Sequence, residues 1–420
     1  MRSKLFKGIF LVFVLALIGS TVLAAEPVKL HLFFYKQEIV NQLKEMTEMF
    51  SKSHPNISID LEIVPNDSMT VLKTRMSSGQ APDIIQLQSY ANVKEFAQSG
   101  WLLDLTNEPV LAKVVPSTKN SVTLPSNGKI YALPMDVAGI GIIYNKDIFK
   151  RYGLKPPKTF NELKSVCATL KKNKVTPFAS MFKANWSLGH FLSMAHTTLA
   201  APKIKDWNAW IKQMDQGKAS YADPVDVKKL FQLLDFYKAN SDPKAAEFDW
   251  NEQQATFAKG ESAMMVQGLW SYGAAISTNP KLKCGFIPFP CTNNVKDTKL
   301  FADVDSTFAL SATSSPEKIK AAKTFLEWLS TPEAVKMWVE KCKLVPTFKG
   351  VDVKSMDAPF QDLVSYLNSG NTNPWAFAMY PVAAFEDATK NGAQEYVFGR
   401  KNAEQVVQYI DETWRNSIKK

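Results

Sequence analysis

Three tryptophans in this sequence stand close to groups that can form hydrogen bonds with hydroxyls. Trp186 follows Asn185, Trp270 lies two residues after Gly268, and Trp375 follows an Asn-Pro pair. A flat aromatic ring stacks against the apolar C–H face of a pyranose, while neighbouring amides and carboxylates bond its hydroxyl groups. These segments therefore predict a carbohydrate site. The tryptophans at helical spacings are instead predicted to lie in cores: Trp207, Trp210, Trp328 and Trp338.

Further candidate contacts follow the first strand-like segment. Residues 28–34 alternate between apolar and polar types, and Tyr35 and Gln37 come directly after them. Open α/β sheets bind their ligands at the carboxyl ends of the strands. We therefore expect Tyr35 and Gln37 to lie at a binding site.

Asp303 and Asp305 are two carboxylates that share one face if their segment is a strand. Such a pair could act as a general acid and a general base. The carboxylates of glycosidases, however, usually come from separate segments of the chain. We therefore interpret Asp303 as a ligand contact and predict no catalytic residue.

Motifs of several other functions are missing from the sequence. It has no His-Glu-x-x-His, no phosphate-binding loop and no Gly-x-Ser-x-Gly, and segment 139–141 lacks the third glycine of a dinucleotide site. His190 and His196 are six residues apart, so they do not share a helical face that could hold a metal. The net charge of +10 is scattered along the chain, unlike the basic stripe of a nucleic-acid-binding protein. We predict a protein that is not an enzyme and that uses no cofactor, metal or nucleic acid.

The first 24 residues have the form of an export signal. Basic residues precede the apolar run 8–18, and small residues follow as far as Ala24. The apolar run is shorter than the ~20 residues that span a membrane. Because no cysteine stands at the expected cleavage point, we expect no lipid anchor. We predict that the signal peptide 1–24 is removed and that the protein is soluble and periplasmic.

Hydrophobic periodicity predicts an α/β fold. Segments 28–34 and 57–63 alternate as strands do, and apolar residues recur at helical spacing over 39–50 between them. A strand–helix–strand order implies a parallel pair with a right-handed crossover. The apolar run 84–87 then indicates a buried third strand. The chain therefore opens with a parallel sheet that carries helices.

The cysteines leave two alternatives open. An exported compartment permits disulfides, and Cys284 and Cys291 bracket a short Gly-Phe-Ile-Pro-Phe-Pro loop. A disulfide between these two residues and two buried thiols are both compatible with the sequence.

A series of short segments, in a characteristic order, carries a resemblance to a known family. The segments are FSKSHPNI (50–57), SGQAPDII (78–85), QSGWLLDLT (98–106), GKIYALP (128–134), IYNKD (143–147), PKTFNEL (157–163), FAKGESAM (257–264), GLW (268–270), AAKTFL (321–326) and PEA (332–334). In this order they resemble the extracellular solute-binding proteins of ABC importers, and within them the carbohydrate-binding group similar to maltose-binding protein. The resemblance extends over most of the chain.

The resemblance implies a periplasmic-binding-protein-like α/β fold with two discontinuous lobes, a hinge and an interlobe cleft. We expect residues 25–135 and 271–330 to form the N-terminal lobe, and residues 136–270 and 331–420 to form the C-terminal lobe. The expected hinge crossings are near 134–138, near 270–273 and near 330.

The resemblance also implies particular contacts. Gln88 and Tyr90 follow the third strand, where the family often binds its ligand, and Asp136 lies in the hinge strand. In maltose-binding protein the corresponding acid stands two places later, at Ala138 here, which argues against maltose as the ligand. With the candidates above, the predicted contacts are Tyr35, Gln37, Gln88, Tyr90, Asp136, Asn185, Trp186, Gly268, Trp270, Asp303, Trp375 and Tyr380.

The implied function is that of a substrate-binding subunit. The protein would capture a sugar or oligosaccharide as a monomer and deliver it to the transmembrane permease subunits of an ABC importer. An anionic sugar or another solute is the first alternative, and a secreted glycosidase is the second. The sequence does not identify the sugar.

Overall fold

The computed structural model of the protein describes residues 27–65 and 68–419. The predicted signal peptide 1–24 therefore lies outside the described residues. Within these ranges, none of the helices combines the length and the apolar character that crossing a bilayer requires.

The described residues contain both strands and helices along the whole of their length. In chain order the strands are β1 (Val28–Phe34), β2 (Ile57–Ile63), β3 (Ile84–Gln88), β4 (Thr123–Leu124), β5 (Lys129–Ile130), β6 (Leu133–Pro134), β7 (Asp136–Asn145), β8 (Thr176–Ala179), β9 (Ser262–Gly268), β10 (Cys284–Ile287), β11 (Leu300–Val304), β12 (Ser306–Leu310), β13 (Val345–Pro346) and β14 (Thr372–Asn373). The helices are α1 (Val40–Ser53), α2 (Ser68–Ser77), α3 (Ala91–Gln98), α4 (Lys146–Arg151), α5 (Phe160–Lys172), α6 (Asn185–Ala200), α7 (Trp207–Asp215), α8 (Val227–Ala239), α9 (Trp250–Ala258), α10 (Ser271–Thr278), α11 (Pro316–Trp328), α12 (Pro332–Glu340), α13 (Ala358–Asn368), α14 (Lys390–Val397) and α15 (Ala403–Ile418).

The first sheet has the strand order β2-β1-β3-β12-β6. β1 is parallel to β2 and β3, which confirms the predicted strand–helix–strand unit, and β12 runs antiparallel to β3 and β6. Side chains alternate across β1, so that Leu32 and Phe34 enter a core with α1 and α11 while Phe33 enters a core with α2 and α3. Both faces of the sheet are thus covered by helices.

The second sheet has the order β14-β11-β7-β9-β8, and β10 and β13 also pair with β7. β7 is its central strand: Ile142 faces a core with α6 and α8, while Ile143 faces a core with α9 and α13. Gly141 permits the close approach of β10, because a Cβ atom there would lie 2.4 Å from the carbonyl oxygen of Ile287. The second lobe is therefore also a sheet between two helical layers.

The hinge consists of chain segments that run side by side. In the described residues the chain passes between the lobes at Met135, at Asp305 and over 345–349. The backbone N–H of Asp305 donates to the Asp136 carbonyl at 2.9 Å, and that of Thr347 donates to the Met135 carbonyl at 2.9 Å. These hydrogen bonds join the three crossings into one narrow connection.

The lobe boundaries differ from those predicted. We expected residues 271–330 in the N-terminal lobe, but β10 and β11 pair with β7, so residues 271–304 belong to the second lobe. We expected the C-terminal lobe to resume at 331, but Trp338 of α12 packs in the core of the first lobe. Residues 329–331 join α11 and α12, which both pack in the core of the first lobe. Residues 270–273 lie between β9 and α10, which both pack in a core of the second lobe. Neither segment is therefore a hinge crossing. Between 134 and 138 the chain passes from β6 of the first sheet to β7 of the second.

The cysteines are free thiols. Cys167, Cys284, Cys291 and Cys342 are all buried and unpaired by disulfides. Burial raises the pKa of Cys284 and of Cys291 to about 12. Of the two alternatives for Cys284 and Cys291, the structure therefore has the thiols.

Candidate ligand-binding site

A buried ion cluster lies at the hinge beneath the cleft. Lys36 follows β1 directly, and its Nζ lies 2.6 Å from Asp305 Oδ2 and 3.3 Å from Asp136 Oδ2. A carboxylate oxygen of Glu38 lies 4.0 Å from the same nitrogen. Lys36 is 4% exposed and Asp136 is 0% exposed. Because buried charges persist only when they are paired, Lys36 binds the first lobe to two of the hinge segments.

The cluster changes the protonation of its members. Burial alone would lower the pKa of Lys36, but the carboxylates of Asp136 and Asp305 outweigh burial and hold this pKa well above its usual value. Burial raises the pKa of Glu38 to about 7, against the opposing effect of Lys36, and it also raises the pKa of Asp305. Lys36 therefore stays charged, while Glu38 and Asp305 bind protons more readily than exposed carboxyls do.

The side chain of Tyr90 forms a hydrogen bond between the lobes across the cleft. Tyr90 follows β3 in the first lobe, and its hydroxyl lies 3.1 Å from each carboxylate oxygen of Asp303, which belongs to β11 in the second lobe. Asp303 also accepts the backbone N–H groups of Val304 at 2.8 Å and Trp375 at 3.2 Å. Burial raises the pKa of Asp303 to about 6, although these hydrogen bonds oppose the rise.

Tyr90 has an unusual backbone conformation. Its φ is +58°, a left-handed value that residues other than glycine, asparagine and aspartate seldom adopt. Its N–H donates to the carbonyl of Ser121, and its own carbonyl accepts the N–H of Lys94. Conformations of this kind persist where surrounding structure holds them, and they are frequent at functional sites.

Trp270 lies where the two lobes meet. Its half-buried indole packs against the cores of both lobes. A Cβ atom on Gly268 would lie 2.1 Å from this indole, so the missing side chain at Gly268 is what allows the ring to fold back over the end of β9. Trp375 and His190 support the ring edge-on, with centroids at 6.1 Å and 5.9 Å.

Trp186 and Asn185 form the first turn of α6. The Trp186 ring is half-buried, and its centroid lies 5.6 Å from that of His190. Asn185 Nδ2 donates to Asn391 Oδ1 at 2.6 Å. His190 therefore connects Trp186 with Trp270 along the second lobe.

Three other predicted residues lie at the carboxyl ends of first-lobe strands. Tyr35 is half-buried, and its N–H donates to Gln86 Oε1 at 3.0 Å. Gln88 is half-buried at the end of β3, opposite Ser306. Gln37 is exposed and begins a short 3₁₀ turn against which α10 of the second lobe packs.

Three predictions require correction. Trp375 and Tyr380 are 0% exposed: Trp375 Nε1 donates to the Phe301 carbonyl at 3.0 Å, and Tyr380 packs on Trp414 at 4.7 Å. Neither ring has a free face, so both are core residues. The Oδ2 atom of Asp136 is bound by Lys36, and the whole side chain is buried, so Asp136 belongs to the hinge cluster and offers no exposed contact.

The sequence prediction did not include Lys36, His190 or Asp305 as site residues. Lys36 lies between the predicted contacts Tyr35 and Gln37. The apolar strand that precedes it in the sequence could have indicated that its charge is buried. The sequence analysis treated Asp305 as one of two neighbouring carboxylates. That Asp305 binds Lys36 follows only from the geometry of the hinge.

Two α/β lobes, joined by three hinge segments and facing each other across a cleft, define the class of two-lobed binding proteins. The chain belongs to the family of bacterial extracellular solute-binding proteins, a model of which matches residues 35–336.

Several curated relatives have names that state a sugar ligand, among them the following two. The chain is 27% identical over 344 residues to the multiple sugar-binding protein of Streptococcus mutans serotype c, covering 80% of this chain and 79% of that protein. It is 23% identical over 322 residues to the melibiose/raffinose/stachyose-binding protein MelE of Bacillus subtilis, covering 72% and 69%. The structure of the solute-binding protein RafE in complex with raffinose superposes with a TM-score of 0.80 at 21% identity, covering 93% of this chain and 100% of that one.

The raised pKa of Asp303 predicts a pH dependence of stability. A carboxyl with a pKa of about 6 in the folded protein and 3.8 in the unfolded chain binds more protons when folded. Its contribution to stability is therefore fully present below pH 3.8 and is lost as the pH rises through 6. Relative to Asp303→Asn, we expect the free energy of unfolding of the wild type to fall by about 1–3 kcal/mol over this interval, since a tenfold change in proton affinity is about 1.4 kcal/mol.

Urea denaturation at a series of pH values measures this difference. Asp60→Asn, which alters an exposed carboxylate on β2, is the matched control and should follow the wild type. Parallel pH profiles for the wild type and Asp303→Asn would show that the Asp303 carboxyl is not perturbed.

Proposed function

We propose that this protein captures a sugar or oligosaccharide between its lobes and delivers it to the permease of an ABC importer. The observation that carries the proposal is the half-buried indole of Trp270, which lies at the junction of both lobes. The ring fits there because Gly268 has no side chain. An aromatic face beside amides and hydroxyls suits a pyranose. The sugar ligands in the names of the relatives support the same class of ligand.

The proposed mechanism is a shift between an open and a closed form. Opening at the hinge separates Tyr90 from Asp303 and exposes Trp270 to solvent. A sugar that touches both lobes binds the closed form better and so increases its population. Moving the equilibrium from 1:99 to 99:1 requires a preference for the closed form of about 5.5 kcal/mol.

The carboxylates at the cleft favour a carrier over a glycosidase. Asp305 is bound to Lys36, and Asp303 accepts the Tyr90 hydroxyl together with two backbone N–H groups. Neither acid is free to protonate a glycosidic oxygen or to activate a water molecule, as the two carboxyls of a glycosidase must. Lys36 is likewise neutralised, which favours an uncharged sugar over an anionic one.

The remaining elements of the proposal follow from the sequence. Residues 1–24 would direct export and be removed, and without a cysteine at the cleavage point the protein would remain in the periplasm without a lipid anchor. We propose that it acts as a monomer that presents its closed form to the transmembrane permease subunits.

A thermal-shift panel tests the proposed function. Ligand that binds only the folded protein adds about 2.7 kcal/mol of stability at 100 times its Kd, so at least one of melibiose, raffinose, stachyose, maltose, maltotriose and maltotetraose should raise the Tm. Mannitol at the same concentration is the control. Sugar binding is refuted for this panel if no sugar raises the Tm above the value measured with mannitol. The role of a carrier is refuted if reducing ends accumulate when the protein is incubated with the sugars.

Trp270→Ala should weaken binding of the panel sugar that binds best by at least tenfold, because the stacking face is lost. The Tm of the empty protein should change by only a few degrees. Titration calorimetry measures the affinity. Trp101→Ala, which alters a half-buried tryptophan packed on Phe96 in the first lobe, should leave the affinity unchanged. An unaltered affinity in Trp270→Ala would remove this ring from the site.

A further inference from the structure

Trp250 extends the aromatic surface of the second lobe beyond Trp186. It is the first residue of α9, and its half-buried ring lies 6.1 Å from the ring of Trp186. Trp186 is 5.6 Å from His190, and His190 is 5.9 Å from Trp270. We call these four residues, in the order Trp270, His190, Trp186 and Trp250, the aromatic row.

The starts of α6 and α9 bring the outer half of the row together. The loops before the two helices are joined by the N–H of Lys183, which donates to the carbonyl of Phe248 at 3.3 Å. Two first-turn tryptophans, Trp186 and Trp250, thereby become neighbours. This contact comes from chain segments about sixty residues apart, which local sequence patterns do not reveal.

The ring of Trp250 is not needed to begin its helix. The Asp249 carboxylate accepts the N–H of Asn251, and the Glu252 carboxylate accepts the N–H of Asp249, which completes a capping box. The indole adds no hydrogen bond to this cap. A large apolar ring left half in water gains free energy when a ligand covers it.

Amide groups flank the outer half of the row. Asn185 and Asn391 form their hydrogen bond next to Trp186, and Asn251 is exposed next to Trp250. Aromatic faces beside amide donors and acceptors are the composition expected of a second sugar-binding surface.

We propose that Trp186 and Trp250 form an outer stacking subsite and that the ligand is an oligosaccharide that reaches from Trp270 to Trp250. This inference rests on the proposed function. The distance between neighbouring ring centroids in the aromatic row is comparable with the length of one pyranose unit. His190 and Trp186 lie between Trp270 at one end of the row and Trp250 at the other. A disaccharide bound at Trp270 leaves Trp250 uncovered, whereas a tri- or tetrasaccharide covers both ends.

The test compares sugars of increasing length in two series, melibiose–raffinose–stachyose and maltose–maltotriose–maltotetraose. Calorimetry is performed on the wild type, Trp250→Ala, Trp250→Phe and Trp207→Ala. In the series that binds, Trp250→Ala should weaken the tetrasaccharide at least tenfold and the disaccharide less than twofold. Trp250→Phe keeps an aromatic face and should retain most of the affinity.

Trp207 offers a closely matched control. It is also the first residue of a helix, follows a capping aspartate, is half-buried, and packs against a tryptophan, Trp210, at 5.6 Å. Trp207→Ala should therefore perturb the fold to a similar degree without changing the affinity for any sugar.

Each outcome decides the proposal. Equal affinities for short and long sugars in the wild type, or equal effects of Trp250→Ala on both, would overturn the outer subsite and leave sugar binding intact. If Trp250→Ala does not fold, the length dependence in the wild type and the Trp250→Phe variant still decide. If no sugar of either series binds the wild type, the proposed function fails and the outer subsite fails with it.

Discussion

A single buried ammonium group connects the first lobe of this molecule to its hinge. Lys36 extends from the end of β1 and binds Asp136 and Asp305, which lie on two different hinge segments. Removing one partner from a buried ion pair usually costs about 3–5 kcal/mol, because it leaves a charge without compensation. Lys36 therefore holds the first sheet against the hinge, and the hinge segments in turn fix where β7, β11 and β12 begin or end.

The cleft surfaces depend on this arrangement. Gln88 is the last residue of β3 and Tyr90 follows that strand. The neighbouring strand β12 leaves the hinge at Asp305, and Asp303 lies two residues before that point. A rotation at the hinge would therefore change the distance between Tyr90 and Asp303, which lie on different lobes. Distances between residues of the same lobe would change less. The aromatic surface that includes Trp270 stays fixed on the second lobe, where Gly268 and the rings of His190 and Trp375 support it.

The local elements of the fold could be predicted from the sequence, whereas several long-range relations could not. The strands β1 and β2 were predicted from the alternation of residue types over 28–34 and 57–63, and β3 from the apolar run 84–87. These predictions succeed because residues adjacent in sequence are enough to show whether each face of a strand is apolar. The lobe boundaries were misplaced because β10 and β11 join β7 as antiparallel partners far away in sequence, and no local pattern indicates which sheet a short strand will join.

The candidate site shows the same limit. Trp375 and Trp186 have similar sequence surroundings, but Phe301 accepts the indole N–H of Trp375 and buries it, whereas Trp186 remains half-exposed at the start of its helix. Tyr380 is covered by Trp414 of the last helix. Whether an aromatic ring faces a ligand or a core is decided by residues that a sequence pattern does not place beside it.

Small-angle X-ray scattering tests the closing hinge most directly. The radius of gyration is measured for the wild type without sugar and with a saturating concentration of the panel sugar that binds best. A smaller radius of gyration in the presence of the sugar is the predicted result, because a ligand that touches both lobes holds them together. An unchanged radius of gyration at saturation would contradict closure as the basis of capture.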